Sequence, residues 1–216
     1  MNKQCYILLI IFNFSIAFAQ TETEIKIPEF DDDYSKTIQK LEDGDTDIDY
    51  KTFRESFLES EQFKVAAKKS SEFRSLKKDM YRLMSELKYD SIVMTTKKML
   101  TIDYTSMIAH KILRQTYEVL GDTVNAKKYK TIQFGLLMSI INSGDGKSCE
   151  TAWSVIQVSE EYFILDMIGV DLSEQSIDYN GGLCDKMVVK NENEEEKVYY
   201  FEISNVFKGR EKLQHE

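Results

Sequence analysis

The stretch SGDGKSCETAWSVIQVSEEYFIL, residues 143–165, decides the fold of this chain. Before it, apolar residues recur every three or four positions. Inside it, Trp153, Val155 and Gln157 alternate with Ser154, Ile156 and Val158, the period-two pattern of a strand. Its first six residues are Gly, Asp, Ser and Lys, a turn-forming composition at the junction of the two patterns. The predicted class is therefore α+β: antiparallel helical hairpins, repeat-like in spacing, followed by a small antiparallel sheet with one short helix.

Upstream of this junction, Phe73, Leu76, Met80, Leu83, Met84 and Leu87 mark a helix starting near Ser71. Ile92, Met94, Met99 and Leu100 mark a second after Asp90. A third carries Ala109, Leu113, Tyr117 and Leu120 and ends at Gly121-Asp122, and a fourth runs from Thr123 through Ala126, Tyr129, Leu136 and Ile140. Leu87-Lys88-Tyr89 precedes Gly121-Asp122-Thr123 by a 34-residue step. That period resembles the tetratricopeptide repeat, whose helix pairs pack through small residues at such positions. Arg114 and Gln133 depart from its small-residue pattern. Nearer the N-terminus, Asp33 is placed to cap a helix with Tyr34, Ile38 and Leu41 on one face. Asp49 is placed to cap another with a stripe of Tyr50, Phe53, Phe57 and Leu58.

Downstream, Ser159-Glu160-Glu161 opens a short helix that stops at Gly169. Residues 170–179 read as extended, Asn180-Gly181-Gly182 as a hairpin turn, Met187 to Val189 and 198–203 as strands, and 191–196 as an acidic hairpin tip. The predicted organisation is a helical part over 33–143, an α+β part over 144–207 and a charged, frayed tail over 208–216.

The N-terminus reads as a secretory signal over 1–19: Lys3, the apolar run YILLIIFNF and Ala17-Phe18-Ala19 as the cleavage site. A polar leader follows over 20–32. The expected location is outside the cytosol, periplasmic or secreted, with no stable membrane anchor once the signal is removed. Removing Lys3 lowers the net charge from −9 to −10, which repels phosphate backbones and argues against nucleic acid as a partner. Cys149 and Cys184 remain after processing. They form either a disulfide suited to an oxidising compartment or two small buried thiols, and spacing alone does not choose.

Searches for chemistry return few motifs. Gly146-Lys147-Ser148 imitates the end of a phosphate-binding loop, but Ile141 stands where that loop needs glycine and a helix precedes it. Asp43, Asp45, Asp47 and Asp49 alternate like calcium ligands, yet Ile48 and Arg54 occupy the positions requiring glycine and glutamate. His110 sits on an apolar helix face and reads as a packed, hydrogen-bonded side chain. No catalytic residue, metal ligand or cofactor is assigned. The ligand-lining candidates are Asp145, Lys147, Ser148, Glu150 and Thr151, in the polar junction loop. The leading functional expectation is a non-catalytic envelope protein that binds a protein or peptide. The alternatives are an envelope hydrolase using carboxylates near Asp145 and Glu150, and a small-ligand or calcium module.

Three segments carry a family resemblance: Gly44-Asp45-Thr46 with the aromatic helix after it, Leu120-Gly121-Asp122 with Ala126, and above all 143–165 continuing to Gln175-Ser176 and Cys184-Asp185. Over most of the chain it resembles the bacterial proteins grouped as domain of unknown function 4919. The resemblance implies an exported protein and carries no activity, substrate or catalytic residue. That family tends to have proline where Cys149 stands, so only Cys184 follows its pattern, which weighs against pairing.

Overall fold

The computed structural model describes Ile25 and residues 29–214. The segment read as a signal, residues 1–19, and most of the stretch read as a leader lie outside the described residues. Ile25, within the leader, is buried in the core.

Helix α1 (Asp33–Glu42) starts one residue earlier than its pattern suggests, because Asp32 is the cap and accepts from Ser35 N at 2.8 Å. It buries Tyr34, Ile38 and Leu41 and stacks Tyr34 on Phe53 of α2 (Tyr50–Glu59). A short helix, α3 (Glu61–Lys68), follows; at eight residues it is too short to show a period. Ser60 caps it, its Oγ accepting from Phe63 N at 3.3 Å. Helices α4 (Ser70–Ser85), α5 (Tyr89–Ile102), α6 (Met107–Leu120) and α7 (Thr123–Ile141) then pack as consecutive neighbours.

The 34-residue echo has a structural counterpart in how α4 and α6 end. Gly121 adopts a left-handed φ of 77°, with Asp122 N bonded back to Tyr117 O at 3.0 Å. Leu87 adopts φ 55°, with Lys88 N bonded back to Leu83 O at 3.1 Å. The same helix-terminating turn thus closes both helices.

Past a one-turn 3-10 segment (Cys149–Thr151), the chain forms β1 (Trp153–Ser154), α8 (Val158–Ile168), β2 (Asp171–Asp178), β3 (Cys184–Lys190) and β4 (Glu196–Glu202). The sheet order is β1-β4-β3-β2. The β2–β3 and β3–β4 pairs are antiparallel hairpins, as the turn chemistry predicts. Two details differ from expectation. The β1–β4 pair is parallel, so the sheet is mixed. The strand predicted from Ala152 to Val158 is also only two residues long. Ile156 N donates to the Glu160 carboxylate at 2.8 Å and so turns away from the sheet.

The predicted frayed tail is instead the end of a helix, α9 (Ser204–Gln214). It docks on the helical part. Val206 and Gly209 are buried, and Lys212 pairs with Glu59. A methyl group on Gly209 would stand 2.9 Å from the Phe63 ring, so glycine lets α9 approach α3 closely. One contiguous hydrophobic cluster contains Tyr34, Leu113 and Ile140 together with Val155, Met187 and Phe201. The helical and α+β parts therefore share a core.

Candidate functional site

The link between α5 and α6 begins the site. The Asp103 carboxylate folds back on it, accepting from Thr105 N at 2.9 Å and Thr105 Oγ1 at 2.6 Å. Gln157, from the segment entering α8, donates to both Asp103 Oδ2 (3.1 Å) and Thr105 Oγ1 (3.0 Å). Burial pushes the Asp103 carboxyl above the usual carboxylate range, against these hydrogen bonds, and the charge of Glu160 adds to the rise. His110, on the far side of the same link, is fully buried and donates from Nε2 to Tyr104 O at 2.7 Å. Its burial lowers the imidazole to about 4, so it is neutral and structural.

Beside this network lies a buried ion pair. Arg54 Nε and Nη2 clasp Glu160 Oε1 and Oε2 at 2.8 and 2.7 Å. Arg54 also donates to Ser139 Oγ on α7 (3.2 Å) and to Ser154 O on β1 (3.2 Å). One guanidinium thus ties α2, α7, β1 and α8 together. The bidentate fork is the geometry that makes arginine suited to such a place.

A groove of about 600 Å³ opens over these groups, between α3–α4 on one side and α6–α8 on the other. Its walls are aromatic and aliphatic, with Phe63, Phe73, Tyr81, Met107, Tyr162 and Phe163 among them. Asp103, Thr105, Gln157 and Glu160 supply polar groups to its lining. Arg74 and Lys77 of α4, Asp166 of α8 and Leu213 of the last helix also line it. The arrangement is a largely apolar cleft whose lining includes a cluster of polar groups hydrogen-bonded to one another, a form suited to side chains of a ligand.

The residues singled out in the junction loop are elsewhere and are occupied with one another. Asp145 Oδ1 accepts from Lys147 N (3.0 Å) and Thr151 Oγ1 (2.6 Å). Asp145 N and Gly146 N both donate to Thr151 O at 2.9 Å, and Ser148 and Thr151 hydroxyls bond at 3.2 Å. Lys147 points to solvent beside Asp145. The Thr151 hydroxyl holds the Asp145 carboxyl below its ordinary value, and the backbone N–H of Glu150 does the same for its own side chain. A hydrolase built on these two carboxylates would need at least one raised, and both go the other way. The loop instead anchors the sheet: Tyr200 N donates to Gly146 O and Trp153 Nε1 to Gly144 O.

Cys149 and Cys184 are joined by a disulfide, with Cα atoms 5.8 Å apart, at the start of β3. Asp49 caps α2 through Lys51 N and Thr52 N, at 3.0 and 3.2 Å. Among the described residues, no group of three or more His, Cys, Asp or Glu side chains is placed to hold a metal ion. No helix among them is long and apolar enough to cross a membrane.

The buried pair beside the groove escapes motif reading because Arg54 and Glu160 are more than a hundred positions apart. One signal was available: Arg54 falls at i+4 from Tyr50 and i−4 from Leu58, inside an apolar stripe where an arginine requires a buried partner.

The family model described as Domain of unknown function (DUF4919) matches residues 21–212, and the chain belongs to that family. No curated protein and no solved structure matches the chain.

Proposed function

We propose that this protein is a non-catalytic binding module of the cell envelope, and that the α3–α4/α6–α8 groove holds an extended peptide segment of a partner protein. The observation that carries this reading is the composition of the groove: several aromatic side chains in its walls and a polar cluster, Asp103, Thr105 and Gln157, whose members hydrogen-bond one another. Aromatic side chains give a partner large contact area, and the fixed carboxylate of Asp103 favours a cationic or hydrogen-bond-donating group beside that cluster. The Cys149–Cys184 disulfide supports an oxidising compartment, in keeping with the signal-like N-terminus.

The test is selection of a displayed random-peptide library on the tagged protein, followed by affinity measurement on groove variants. Enriched peptides should carry aromatic or aliphatic residues and bind about tenfold more weakly to Phe73→Ala and Tyr162→Ala, the loss of one moderately buried aromatic contact. No enrichment, or equal binding to both variants, would overturn the reading.

A further inference from the structure

The α4 wall of the groove has an order of its own. Ser70, Phe73, Arg74, Lys77 and Tyr81 line it. These positions follow the i, i+3, i+4, i+7, i+11 pattern of a single helix face. The face is about 16 Å long at 1.5 Å per residue. Along it, two basic residues stand between two aromatic ones.

The carboxylates of the groove already have partners. Arg54 clasps Glu160. Lys111 Nζ pairs with Asp166 Oδ2 at 2.8 Å. Thr105 and Gln157 donate to Asp103. Arg74 and Lys77 differ: among the described residues, no ion pair, hydrogen bond or ring contact engages either side chain. The acidic residues nearest to them on α4 are taken by other bases, Glu72 by Lys69 at 3.6 Å and Asp79 by Arg82 at 3.3 Å. Neither Arg74 nor Lys77 therefore contributes an ion pair to the fold. Arg74 is exposed and Lys77 half-buried. A long basic side chain on an apolar wall lays its stem along that wall and keeps its charge at the rim. Two uncommitted cations on one groove also run against the net charge of the chain, which is −9.

We propose, on the footing that the groove is a peptide site, that the segment it takes carries an acidic residue between two apolar ones. Arg74 and Lys77 receive the acid, and Phe73 and Tyr81 meet the apolar residues. From Phe73 to Tyr81 is about 12 Å along the helix axis. An extended segment covers that distance in about four residues. The two apolar residues are then three or four positions apart, with aspartate or glutamate at a position between them. Charge complementarity makes the choice of acid, and the aromatic pair sets its spacing from the anchors.

The test is selection of a random octapeptide library on the tagged full chain and, in parallel, on the double variant Arg74→Gln/Lys77→Gln. The library is fused at its C-terminus to the display protein, so any selected acid is a side chain. Glutamine keeps the stems and the helix propensity, so the fold is retained. An acidic protein attracts basic peptides non-specifically, so an excess of Asp and Glu on the parent has to come from local cations. Peptides enriched on the parent should place an acid between apolar residues, and the double variant should show no such excess. A synthetic copy of the most enriched peptide should bind the parent about fivefold more tightly than a copy with the acid replaced by its amide, the upper range for an ion pair at a rim. The two copies should bind the double variant equally. Apolar peptides enriched without an acid, equal binding of both copies to the parent, or an acid excess that persists on the double variant would overturn the acidic motif and leave the groove a peptide site. No enrichment, or enrichment unaffected by Phe73→Ala, would overturn the peptide reading itself and the motif with it.

Discussion

Glu161 makes the clearest demand on a single side chain. Burial first, and then Asp185, raise its carboxyl to about 9 in the fold, and it sits near 4.3 in an unfolded chain. Between those values the folded state holds a proton that the unfolded state has released. Stability attributable to this group therefore falls as pH rises from about 4.5 to about 9, and levels off above. Glu161→Gln keeps the shape and a donor toward Asp185 and removes the titration. The variant should be more stable than the parent at pH 7, by about 3–4 kcal/mol. Its advantage should grow toward pH 9 and vanish near pH 4.5. Urea denaturation of both proteins across that range measures the difference directly, and a gap that does not change with pH would sink the assignment. The residue was visible in the sequence only as part of Ser159-Glu160-Glu161, a helix start. Nothing local distinguishes Glu160, which finds Arg54, from Glu161, which meets another carboxyl.

At the scale of elements, the helical hairpins were legible because their apolar residues repeat at helical spacing. The junction was legible because that period changes at 143–158. What composition hid was geometry. Gly121 announces its left-handed turn, while Leu87 makes the same turn without glycine. A leucine there bears the steric cost of its Cβ at positive φ, and its side chain, 66% exposed, recovers little burial. Leu87→Gly should therefore stabilise the protein by about 0.5–1 kcal/mol, the relief of strain outweighing the added freedom of the unfolded chain. The corresponding Gly121→Leu should destabilise by a similar amount or more. Paired denaturation midpoints with unchanged m-values would establish both signs, and a destabilised Leu87→Gly would show that the turn is held by the leucine side chain itself. For α3 and α9 the sequence offered weaker patterns: one is only eight residues long, and the other is short of apolar residues because its buried face rests on Gly209 and Val206.

For the whole molecule, the decisive feature is that the two halves recognised in the sequence do not fold around separate cores. The cluster running from Tyr34 to Val206 crosses the boundary at 143, and α9 returns from the sheet to pack on α2 and α3. Arg54 and Glu160 fasten the same boundary from inside, with side chains 3% and 4% exposed. Composition could not reveal this, since charge pairs across a hundred residues leave no local trace. The consequence is cooperative unfolding despite a chain longer than most two-state domains. Trp153, the single tryptophan, packs against Tyr199 and Phe201 in the sheet, so its fluorescence reports the α+β part. Far-UV circular dichroism reports mainly the helices. The two probes should give coincident urea transitions. Glu160→Gln leaves the Arg54 charge buried without its counter-charge and should cost about 3–5 kcal/mol. Because the pair spans the boundary, both probes should shift together in that variant. Fluorescence and dichroism separating into two midpoints, in the parent or the variant, would mean that the shared core is not what holds the halves together.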